Sequence, residues 1–68
     1  MTNCLIVKVY GRPLDELRGE ASRISRAQKA DWFVERDDKG MRFCFEDGEA
    51  KAQFASVCKN LGLIHSDA

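Results

Sequence analysis

The sequence carries no excess charge of either sign: eleven lysines and arginines stand against eleven aspartates and glutamates in 68 residues. Without a net field, the chain as a whole has no pull toward nucleic acid or an anionic membrane surface. A single proline and five glycines are too few for a flexible linker or a low-complexity tail. No apolar run approaches the ~18 residues that a membrane span requires. The first apolar run, Cys4-Leu5-Ile6-Val7, is interrupted by Lys8 and has neither a basic leader before it nor a small-residue cleavage site after it. A cytoplasmic chain without membrane contact is the expectation.

Metal-ligating and nucleophilic side chains are also scarce. The three cysteines, Cys4, Cys44 and Cys58, are 40 and 14 positions apart. An odd and sparse set is unlike the disulfide framework of a small secreted scaffold, so reduced thiols are expected. Zinc held by these cysteines and His65 would lack the close ligand pair that one tight turn supplies. His65, the single histidine, has no neighbour to orient it as a general base. Ser22, Ser25 and Ser56 fall in helical patterns without a nucleophile elbow. The reading therefore assigns no catalytic residues, no metal and no cofactor, and leans away from an enzyme.

What the sequence does contain is clear patterning over a length suited to one domain, residues 1–68. Residues 4–10 alternate as a strand, with Leu5, Val7 and Val9 on one face and Cys4, Ile6, Lys8 and Tyr10 on the other. Gly11 ends that strand and Pro13 suits the first turn of a helix running to about Lys29. Leu14, Leu17, Ala21, Ile24 and Gln28 form its buried stripe. Residues 32–36 and 41–46 flank Asp37-Asp38-Lys39-Gly40 as a β-hairpin. Pairing 36 with 41 sets Trp32 opposite Phe45 and Val34 opposite Phe43 on the apolar face. On the other face it sets Glu35 opposite Arg42 and Phe33 opposite Cys44. Asp47 caps a second helix whose stripe is Ala50, Phe54, Val57 and Leu61, and Gly62 stops it. Residues 63–65 are the candidate short fourth strand. The fold class is α+β, a β-α-β-β-α domain of ferredoxin-like or truncated ferredoxin-like type with both helices on one sheet face.

Lys39-Gly40-Met41-Arg42-Phe43-Cys44-Phe45-Glu46 resembles the third-strand signature of RNA recognition motifs, and the resemblance extends into the following helix, covering about a third of the chain. It implies that Met41 and Phe43 face RNA and that Cys44 and Glu46 are buried, with Ile6 where that family's first strand carries an aromatic. The hairpin register implies the opposite orientation, with Phe43 in the core.

Two surfaces follow as candidates. The sheet face opposite the helices displays Ile6, Tyr10, Phe33 and Cys44, more apolar than a solvated face requires, and marks an interface for a protein partner or a second copy. The first helix groups Arg18, Arg26 and Lys29 within ~80° of its circumference, a basic face for a nucleic-acid partner, which is the less favoured reading. The leading function is a non-catalytic interaction module acting through its open sheet face; the alternative is a small nucleic-acid-binding domain.

Overall fold

The computed structural model describes residues 3–68. Its elements run β1 (Asn3–Val7), α1 (Arg12–Gln28), β2 (Trp32–Asp37), β3 (Gly40–Phe45), α2 (Gly48–Asn60) and β4 (His65–Asp67). The four strands form an antiparallel sheet in the order β2-β3-β1-β4, with both ladders of β1 running to partners distant in sequence. Because β1 and β2 are each antiparallel to β3, they run parallel to one another with β3 between them, the split form of a strand–helix–strand unit.

The hairpin has the register read from the sequence: Trp32 faces Phe45, Val34 faces Phe43, Glu35 faces Arg42 and Phe33 faces Cys44. Its loop is Asp38-Lys39, closed by the Asp37–Gly40 pair, and the Lys39 amide donates to the Asp37 carboxylate at 3.0 Å. Among the described hairpin residues only Gly40 has positive φ, at 149°.

β1 is shorter than the alternation suggests. β3 begins at Gly40, so the ladder opposite β1 runs out at the Val7–Met41 pair. Val9 nevertheless turns into the core, while Tyr10 lies beyond the strand with two-thirds of its surface exposed.

α1 begins just after Gly11, whose carbonyl accepts from the amides of Leu14 and Asp15, with Pro13 in the first turn as expected. It ends at Lys29 in the left-handed conformation (φ 54°, ψ 42°), where the Lys29 amide donates to Arg26 and the Ala30 amide to Ser25. That pair of reversed bonds satisfies carbonyls the helix end leaves open. α2 ends the same way at Gly62, with the Gly62 amide donating to Lys59 and that of Leu63 to Cys58.

This second cap corrects two expectations. It turns Leu61 outward, half exposed, and makes the buried stripe of α2 Ala50, Phe54 and Cys58. It also spends Leu63 on the cap, so β4 starts at His65 rather than at residue 63. Asp47 does occupy the position before α2, but its side chain makes no capping bond.

Both helices pack on one face of the sheet. Phe43, Phe45 and Phe54 are fully buried, with Phe54 of α2 resting 4.6 Å from Phe43 and 5.2 Å from Phe45 between ring centroids. Such ring contacts add about 0.5–1.5 kcal/mol per pair beyond area burial. Leu5, Val7, Leu17, Ala21 and Ile24 complete the centre. Trp32 is at the rim instead, half-buried on the edge strand and stacked on Phe43 at 6.3 Å.

Candidate functional site

The face of the sheet that the helices leave bare is organised by register into rows running across the strands. One row reads Phe33, Cys44 and Cys4, and the Ala68 amide continues it by donating to the Cys4 carbonyl. The next reads Glu35, Arg42, Ile6 and Ser66. Alternation places these side chains together because successive residues of a strand point to opposite faces.

The first row contains a disulfide between Cys4 and Cys44, whose α-carbons are 4.0 Å apart. This corrects the expectation of three reduced thiols: the two cysteines are register partners on the central strands β1 and β3. Linking residues separated by 40 positions removes about 4 kcal/mol of unfolded-state freedom on the loop-entropy account. Cys58 remains free and lies on the other side of the sheet, in the core. Burial pushes its thiol up to about 11. Cys4 and Cys44 thus lie across the sheet from Cys58, and among the described residues no three His, Cys, Asp or Glu side chains gather as a metal site. His65 is turned to its own loop, with Nδ1 3.1 Å from the Leu63 carbonyl oxygen.

In the second row the Arg42 guanidinium donates to Glu35 across β2 and β3. That hydrogen bond, more than the charge alone, raises Arg42 above its ordinary value. Ile6 is half-buried beside the pair, and Phe33 is 39% exposed at the row's outer end. Of the residues proposed for this interface, Ile6, Phe33 and Cys44 come together here. Cys44 is buried and bonded, so it supports the surface without forming its outer layer. Tyr10 lies past the end of β1 and outside the sheet.

The residues drawn from the RNA recognition resemblance take the opposite orientation. Met41 and Phe43 are buried in the core and Glu46 is exposed, accepting from the Asp31 amide, whereas Cys44 is buried as the resemblance implies, but on the bare face and in the disulfide. Bases cannot stack on rings that α2 covers.

On α1, Arg18, Arg26 and Lys29 are all exposed. Arg26 donates to Ser22 at 3.4 Å. Arg23 instead pairs with Glu20, whose carboxyl is held below its usual range by that hydrogen bond. Between α1 and α2 lies an open groove of about 450 Å³ lined by Glu16, Gly19, Glu20, Val57 and Leu61. No described helix is long and apolar enough to cross a membrane.

The signal that would have found the disulfide is present in the sequence. Setting the core residues Leu5 and Val7 of β1 against Phe43 and Met41 of β3 leaves Cys4 opposite Cys44, but the pairing appears only once β3 is known to lie beside β1. Compared with protein-family models, with curated proteins and with solved structures, the chain matches none.

Proposed function

We propose that this chain is a small non-catalytic binding module that docks a second copy of itself through the bare face of its sheet. The observation that carries the reading is the juxtaposition of Phe33 and Ile6 with the Glu35–Arg42 pair on the one face without a helical cover. An apolar patch edged by charge is the pattern of a specific contact. Because the face holds both signs on neighbouring strands, a twofold copy brings Arg42 of one chain toward Glu35 of the other, as a self-complementary contact requires.

The ferredoxin-like reading of the fold belongs to the same proposal. Its support is the β-α-β-β-α-β element order, the split β1-α1-β2 unit and the central placement of β1 and β3. A cytoplasmic location, read from the sequence, fits a disulfide that is transient rather than permanent.

Light scattering across a range of protein concentrations, on the chain and on Phe33→Lys, is the test. A concentration-dependent dimer that the variant loses is expected. A monomer at every concentration overturns the reading, as does a dimer that Phe33→Lys leaves intact, which would place the contact at the open edge of β2. Salt-dependent oligonucleotide binding by the monomer, lost when Arg18, Arg26 and Lys29 are replaced by Ala, would move the function to the basic face of α1.

A further inference from the structure

We infer that Cys4–Cys44 is a thiol–disulfide exchange site, reduced by a small thiol of the glutathione class that attacks the sulfur of Cys4 from the bare face of the sheet. Thiol–disulfide exchange is an in-line displacement, so the incoming thiolate must approach along the sulfur–sulfur axis from the side away from the leaving sulfur. The row that contains the bond therefore decides which sulfur is reachable. An attack on Cys44 must come over β2, where its register partner is Phe33. An attack on Cys4 must come over β4, where, among the described residues, the row continues to the small residue Ala68. Exposure agrees: Cys4 retains 8% of its surface and Cys44 only 1%.

The step balances with the thiol alone. The thiolate forms a bond to Cys4 sulfur, the Cys4–Cys44 bond breaks, and Cys44 leaves as a thiolate that takes a proton from solvent. A second thiolate then attacks the sulfur of the first thiol in the mixed disulfide and releases Cys4. The protein gains two electrons and two protons, and two small thiols become their disulfide. Reversal needs no search by the chain, because the pairs Asn3–Phe45, Leu5–Phe43, Ile6–Arg42 and Val7–Met41 hold the two cysteines opposite each other. Cys58, buried on the other side of the sheet, stays outside the cycle.

The experiment exposes the oxidised full chain to glutathione under native conditions, quenches it with N-ethylmaleimide, and maps the adducts by peptide mass spectrometry. The mixed disulfide is expected on Cys4 in at least tenfold excess over Cys44, with Cys58 unmodified. Phe33→Ala opens the other approach and should lower that ratio several-fold. Equal adducts on both cysteines, or an excess on Cys44, overturn the assignment. So does reduction that proceeds only in denaturant, which would make the bond a buried structural tie, or a chain whose cysteines stay as thiols in an oxidising glutathione buffer. The exposure is run at a protein concentration at which light scattering shows only the monomer, so the result is independent of whether the face also docks a second copy.

Discussion

Gly40 stands so close to Val7 that a β-carbon at residue 40 would lie 2.4 Å from the Val7 carbonyl oxygen. The hairpin turn and the central strand are fitted to each other at that point, and the obstacle is backbone, which cannot swing aside. Gly40 also has φ 149°, a conformation that side chains oppose.

Gly40→Ala is accordingly expected to destabilise the fold by about 2–3 kcal/mol. Gly62→Ala is the control, since Gly62 has positive φ but open space around it, and its cost is expected to be about 1 kcal/mol. Urea unfolding of the two variants checks the difference; equal losses would remove the close approach as the cause.

Lys29→Gly should stabilise the chain. Lys29 holds the left-handed position at the end of α1 with its side chain exposed, so glycine relieves a steric cost of about 0.5–1 kcal/mol there. In a domain of this size each kcal/mol moves the melting temperature by roughly 4–8 °C, and a thermal melt that fails to rise would count against the cap.

Stability should decline in alkali through Cys58. Its thiol titrates near 9.0 when unburied and at about 11 in the folded chain. Below pH 9 both states keep the proton and the group has no effect. Between 9 and 11 the unfolded chain releases it while the folded chain holds it, so unfolding becomes progressively easier, and above 11 the loss is complete. Unfolding curves of the chain and of Cys58→Ala across this window give the measure: the variant should show the shallower fall.

The local parts of the structure were legible in the sequence. The hairpin register follows from a period of two on either side of a short turn, and the stripe of α1 from Leu14 to Ile24 follows from helical spacing alone. α2 was harder, because Ala50 and Phe54 begin two alternative stripes. One continues through Val57 and Leu61 and the other through Cys58; the reversed bonds at Gly62 select the second by turning Leu61 outward. The bare face was partly readable, since Ile6, Phe33 and Cys44 fall there by alternation. Its central bond was not, because it depends on a strand pairing between segments that nothing local connects.

The position of β1 has a kinetic consequence. β1 is made before either of its neighbours in the sheet, β3 and β4. The β2–β3 hairpin closes through a short loop on the microsecond scale, whereas the segment 3–7 must find a slot whose far side is formed by residues 65–67. Loop closure over such separations slows folding. Until β4 has been synthesised, β1 can have only one of its two edges satisfied, so of the four strands the one made first waits on the one made last for its second neighbour.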